Sequence, residues 1–262
     1  MRALKYLPIA FLCLHNFLSE AQNCGNKSTV KEFELLPVLW QQYAPEYRAL
    51  CYQAFNTARY RIENILSESS GAAPKAIITD LDETIIDNSY CYGRAFKNNT
   101  TPDWQDWKTQ TLATALPGAV DFLQNVHQKG IHIFYISNRD TSETENTLEN
   151  MKILNLPHAD KDHLLLRGNT SSKEERRKQV AAQYDIILYI GDNLQDFSSL
   201  YEGGTSGEKA EITDQLHQQW GKMFIVLPNP VYGDWLNTLH NHRFGLTPDQ
   251  RDSAYTTLLK GY

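Results

Sequence analysis

Apolar residues in this chain cluster in short runs separated by amphipathic segments. Five runs read as strands: Ala76–Thr79, Ile131–Ile136, Leu164–Leu166, Ile186–Ile190 and Met223–Leu227. Gly118–Gln128, Thr141–Leu154, Lys173–Gln183 and Ile212 to about Gln219 lie between them and read as helices, with Pro117, Thr141 or Ser142, and Ser171 or Ser172 as start signals. Strand and helix in alternation predict an α/β fold, a Rossmann-like parallel sheet with helices on both faces. Ahead of it, Leu35, Leu39, Tyr43, Tyr47, Cys51, Phe55, Ala58, Ile62 and Leu66 recur mostly at three- and four-residue spacing. This predicts helix over Val30–Leu66, with Pro45 starting a second piece, as a small helical cap or N-terminal subdomain. Asn88–Ala115 has no clean period but carries Tyr90, Tyr92, Phe96, Trp104 and Trp107, so it reads as a cover over the mouth of a site.

The strand runs end in polar clusters, which places those clusters on one edge of the sheet, where open α/β sheets bind ligands. The first run ends in Asp80 and Asp82; residues i and i+2 of a strand point the same way, so both carboxylates address one spot. One can attack an electrophile while its neighbour moves protons, and the pair suits Mg²⁺. The second ends in Ser137-Asn138, whose hydroxyl, amide and backbone N–H groups can hold phosphate oxygens. Lys173 begins the next predicted helix, so its ammonium and the helix N-terminus together favour a phosphoryl group. The fourth run ends in Gly191-Asp192-Asn193-Leu194-Gln195-Asp196, with carboxylates for a metal and a glycine for a tight turn. Each piece alone is an ordinary turn or a solvated charge. Four of them in order at strand ends make a site for phosphoryl chemistry.

The 262 residues suffice for one large domain with a sizeable core, and a net charge of −6 argues against nucleic acid as a partner. Arg2 and Lys5 precede the apolar run Leu7–Leu14, and Ser19-Glu20-Ala21 has the form of a cleavage site. Residues 1–21 therefore read as a signal peptide, leaving 22–262 as one domain with a helical region at 30–70, a core at 75–236 and the cover at 88–115. Of the cysteines then remaining, Cys24, Cys51 and Cys91, one pair plus a free thiol is expected. Cys24–Cys51 is favoured because Cys91 lies beside the proposed site.

The order D-L-D-E-T, S-N-R, S-K-E and G-D-N-L-Q-D-F matches the four motifs of the haloacid dehalogenase superfamily. The words T-I-I-D-N-S, W-Q-D-W, L-P-G-A-V-D-F, Y-D-I-I-L-Y-I-G-D-N and L-P-N-P-V-Y-G-D-W resemble one branch, the bacterial class C acid phosphatases, also called the outer-membrane lipoprotein acid phosphatase or 5'-nucleotidase family. The similarity runs from about Val30 to about Leu236. It implies a Mg²⁺-dependent phosphomonoesterase favouring acid pH and acting on small phosphorylated metabolites such as nucleoside monophosphates. By position, Asp80 would be the nucleophile and Asp82 the acid and base. Mg²⁺ would sit on Asp80, the backbone carbonyl of Asp82, and Asp192, with Asp196 supporting that shell. Ser137, Asn138 and Lys173 would hold phosphate. Tyr232, with Trp104 or Trp107 facing it, would stack on a planar leaving group. The residues before Cys24, Glu20-Ala21-Gln22-Asn23, fit a lipid-anchoring signal poorly, so the reading is a cleaved protein, periplasmic or secreted, with the N-terminal helices free to serve an oligomer interface. The competing readings are a phosphotransferase of the same fold and a non-catalytic nucleotide-binding or storage relative.

Overall fold

The computed structural model describes residues 30–68, 73–239, 241–243 and 245–261. The expected signal peptide, Cys13 and Cys24 lie outside the described residues. Cys51 and Cys91 are buried free thiols.

The sheet comprises β1 (Lys75–Thr79), β4 (His132–Asp140), β5 (Leu164–Arg167), β6 (Asp185–Gly191) and β7 (Phe224–Val226) in the order β5-β4-β1-β6-β7. All neighbours run parallel. The chain builds one half outward from β1 through β4 to β5, then returns to β6 and β7 on the other side. The reversal leaves a crevice at the carboxyl end of β1. Because β1 is central, both its faces are covered. Ile77 packs in the larger core with Tyr47, Phe55, Phe122, Tyr135 and Leu148, while Ala76 and Ile78 pack in a smaller one with Phe134, Ile136 and Val180. That double burial explains why the run has no polar alternation.

The helices on the larger face are α2 (Pro45–Glu68), α5 (Ala119–Gln128) and α6 (Thr144–Ile153); α7 (Glu174–Ala181) covers the other. As expected, the N-terminal helix breaks before Pro45, separating α1 (Val30–Tyr43) from α2. α2 is no separate subdomain, since Tyr47, Cys51, Phe55, Ala58 and Ile62 are all part of the main core.

Three boundaries differ from the sequence reading. The segment 88–115 is ordered into α3 (Ser89–Asn98) and α4 (Trp104–Thr109), closed by a two-residue ladder between β2 (Ile86–Asp87) and β3 (Thr114–Ala115). Its period was hidden because α4 is only six residues long and α3 carries the weak helix formers Cys91 and Gly93. The helix expected from Ile212 is α8 (Ser206–Gln215), six residues earlier, started by a capping box of Thr205 and Glu208. β4 runs on through Ser137-Asn138-Arg139 to Asp140, which pairs with Arg167 of β5, so the second polar cluster lies in the strand itself. Beyond it, α9 (Asp234–Leu239) and α10 (Pro248–Leu258) form the tail; α10 rests on α1, where Arg251 pairs with Glu34.

Candidate active site

The carboxyl ends of β4, β1 and β6 deliver the polar clusters to one cavity of about 440 Å³. Asp80, Asp82, Ser137, Asn138, Lys173, Asp192, Asp196, Trp104 and Tyr232 all line it, so the structure brings together every expected site residue except Trp107. Trp107 is buried among core residues, and its ring N–H donates to the Asn88 Oδ1 at 2.8 Å. It supports the wall of the site from behind.

Asp80 leaves β1 at the floor. Its backbone N–H donates to the Ile190 carbonyl, which ties it to β6, and its Oδ1 lies 2.5 Å from the Lys173 Nζ. Lys173 caps α7 and reaches Asp196 as well, at 2.6 Å, so one buried ammonium bridges two carboxylates. Asp192 takes hydrogen bonds from the Thr84 hydroxyl at 3.0 Å and the Asn229 amide at 2.8 Å. Asp196 accepts from the Asn193 N–H, closing a tight 3₁₀ turn against Gly191. A Cβ on Gly191 would fall 2.5 Å from the Asp196 Cβ, so only glycine leaves room for this turn.

Carboxylate oxygens of Asp80, Asp192 and Asp196 lie within 4.8 Å of one another. Burial pushes the Asp80 carboxyl well above its ordinary range; Lys173 opposes this, and Asp196, Asp192 and Asp82 add to it. Burial and then Asp196 push Asp192 up to about 7. One ammonium does not neutralise this cluster. A hard, all-oxygen donor set with excess negative charge fits a divalent cation such as Mg²⁺.

Asp82 points away from that cluster. Its carboxylate is gripped by Arg139, with Nη2 2.7 Å from Oδ1 and Nε 3.0 Å from Oδ2, and the Asn88 amide donates to it at 2.8 Å. Burial opposes its charge, but Arg139 prevails and holds it down to about 2. The Ser137 hydroxyl stands 3.5 Å from Asp82, at the limit of a hydrogen bond. Asn138 is turned outward, its Oδ1 accepting from Arg176, whose other nitrogen donates to the Ser137 carbonyl at 2.6 Å.

Sequence reasoning passed over Arg139, Arg176 and Glu83, and placed Tyr92 in the cover without giving it a partner. Arg139 stood in the S-N-R motif two residues after Ser137. Extended backbone puts the two side chains on one face, so period-two spacing was the available signal. Glu83 is buried, and burial, then the Asp82 charge, pushes it up to about 8. It accepts from the Asn88 N–H and the Tyr232 hydroxyl. At the mouth, Tyr92, Trp104 and Tyr232 form a cluster with centroids 5.4–5.8 Å apart, Tyr92 and Tyr232 being stacked.

A family described as "HAD superfamily, subfamily IIIB (Acid phosphatase)" matches residues 14–235. The chain belongs to this family. As an acid phosphatase it is a phosphomonoesterase, and its fold agrees with that of solved relatives. The class C acid phosphatase from Bacillus anthracis with tungstate bound superposes with a TM-score of 0.85 at 35% identity, covering 88% of this chain and 98% of that one. A second structure of the class C acid phosphatase from Bacillus anthracis gives 0.84 at the same identity and coverage. Vegetative storage proteins 2 and 1 of Arabidopsis thaliana are 24% and 25% identical, each alignment covering 78% of this acid phosphatase and 76% and 74% of the relatives. Among the described residues no helix is long and apolar enough to cross a membrane.

Proposed function

We propose that this acid phosphatase is Mg²⁺-dependent and hydrolyses small phosphate monoesters, nucleoside 5'-monophosphates among them, through an aspartyl-phosphate at Asp80. The observation that carries the reading is the placement of Asp80 between the Lys173 ammonium and the acidic cluster of Asp192 and Asp196. That arrangement lets an anionic nucleophile face an anionic phosphoryl group. Tungstate, a tetrahedral oxyanion like phosphate, is bound in one structure of the Bacillus anthracis relative.

Asp80 attacks phosphorus as the ester P–O bond breaks, and the departing alkoxide takes a proton from Asp82. Water then attacks the acyl phosphate, Asp82 accepts its proton, and inorganic phosphate leaves with Asp80 restored. Asp82 must carry a proton in the first step although Arg139 keeps it ionised at rest. An arriving phosphate dianion competes for Arg139 and adds its own negative charge, and both raise the proton affinity of Asp82. Ser137 and Lys173 hold phosphate oxygens, while the Asn138 side chain is turned out to Arg176. Mg²⁺ on Asp80, the Asp82 carbonyl and Asp192 would draw charge off the phosphoryl group. Asp196, engaged by Lys173 and Asn193, braces that set. Tyr232 and Trp104 flank the leaving group. The N-terminal segment supports export to the periplasm or medium.

Release of inorganic phosphate from a nucleoside 5'-monophosphate and from p-nitrophenyl phosphate, with and without Mg²⁺ and at acid and neutral pH, tests this. Metal-dependent turnover lost in Asp80→Asn is expected; full activity in that variant refutes the assignment.

A further inference from the structure

At the opposite edge of the sheet from Asp80, three imidazoles converge. His132 opens β4, His163 immediately precedes β5, and His158 lies in the loop between α6 and β5. A ring nitrogen of each lies within 4.8 Å of the others. His132 is five residues up its strand from Ser137, roughly 16 Å at strand rise. The cluster is therefore separate from the phosphatase site.

We propose that His132, His158 and His163 bind a divalent transition metal of the Zn²⁺ class. The His132 Nδ1 and the His163 Nε2 are 3.3 Å apart. Two nitrogens on one tetrahedral Zn²⁺, at about 2.0–2.1 Å each, lie roughly 3.3 Å apart, so this pair already has the spacing of neighbouring ligands. His163 is also oriented as a ligand would be: its Nδ1 faces the Asp160 Oδ1 at 2.8 Å, which leaves the Nε2 lone pair directed at His132. A carboxylate behind a ligating histidine fixes tautomer and ring angle and raises the basicity of the free nitrogen. The rings of His158 and His163 are near-parallel at 4.3 Å, so His158 is close enough to supply the third nitrogen.

Without metal, the His132 Nδ1–H donates to the His163 Nε2. Binding moves that proton to the His132 Nε2, so the pair coordinates as neutral imidazoles with no net proton lost. His158 turns inward and gives up a long hydrogen bond, 3.3 Å, from the Ile133 N–H. Water completes four-coordination. Imidazole nitrogens select Zn²⁺, Cu²⁺ or Ni²⁺ over Mg²⁺, so the two sites do not compete for the same ion. The metal would staple the α6–β5 loop to the first residue of β4.

The test uses full-length protein stripped with a chelator and held in millimolar Mg²⁺ to occupy oxygen donors. Zn²⁺ is titrated calorimetrically and Co²⁺ by its visible spectrum. One equivalent of Zn²⁺ and an intense low-coordinate Co²⁺ band are expected. His132→Gln/His163→Gln should weaken binding at least a hundredfold, while phosphate release stays unchanged. Asp160→Asn removes an exposed carboxylate and should weaken binding about 10–100-fold; it decides the matter should the double variant not fold. No stoichiometric uptake by the wild type, or equal affinity in the variants, overturns the proposal.

Discussion

Replacing Arg139 by glutamine isolates the pair that sets the protonation of Asp82. The guanidinium is enclosed, with 3% of its side chain exposed against 19% for Asp82. It spends Nε and Nη2 on that carboxylate and Nη1 on the Thr147 hydroxyl. The pair lowers Asp82 from an ordinary 3.8 to about 2. At roughly 1.4 kcal/mol for each tenfold change in proton affinity, the gap corresponds to about 2.4 kcal/mol. Stranding a fully buried charge costs about 3–5 kcal/mol. The lower figure governs here, because Asp82 keeps some solvent contact and the Asn88 hydrogen bond. Arg139→Gln should thus lose about 2–3 kcal/mol of stability near pH 6. The folded carboxyl is depressed, so this contribution is complete above about pH 4 and is lost as pH falls through 2. Urea unfolding of the wild type, Arg139→Gln, Asp82→Asn and the double variant at pH 6 and pH 4.5 gives the coupling energy. About 2 kcal/mol at both values is expected. Additivity within about 0.5 kcal/mol would refute the reasoning, since the two side chains would then be independent.

Three further outcomes follow from the same geometry. Tyr232→Ala should lower kcat/KM for nucleoside and aryl phosphates by roughly 5- to 150-fold, at about 1–3 kcal/mol per stacked ring, while glycerol phosphate is little affected; steady-state kinetics on the two classes compares them. Gly191→Ala should displace Asp196 and raise the Mg²⁺ concentration needed for half-activity, with the far-ultraviolet circular dichroism unchanged. Glu83 is raised to about 8 in the folded state, so its contribution is complete below about pH 4.5 and lost as pH rises through 8. Glu83→Gln should therefore gain melting temperature relative to wild type across that interval, and a constant difference would count against a buried neutral Glu83.

The sheet was legible because its strands are buried on both faces, so Ala76–Thr79 and Ile186–Ile190 stand out as unbroken apolar runs. The polar residues that terminate them were legible for the same reason, and Asp80, Lys173, Asp192 and Asp196 meet in one cavity. What escaped was pairing across the fold. Nothing local tells Arg139 to hold Asp82, 57 residues earlier, rather than a substrate phosphate. Nothing local gives Glu83 a partner in Tyr232, 149 residues on. The cover eluded periodicity because α3 and α4 are held by tertiary contacts, such as Cys91 and Trp107 in the core, more than by intrinsic helix preference.

The central place of β1 has a consequence for how the chain must be made. Its partners come from residues 132–140 on one side and 185–191 on the other. A chain emerging from the ribosome exposes Lys75–Thr79 early, yet the second edge of that strand stays unpaired until Gly191 has been synthesised. Until then the molecule carries an open apolar edge at Ile77 and Ile78, the kind of template that recruits other strands. Nascent chains stopped before β6 should need a holdase to stay dispersed, while those released after β7 should not.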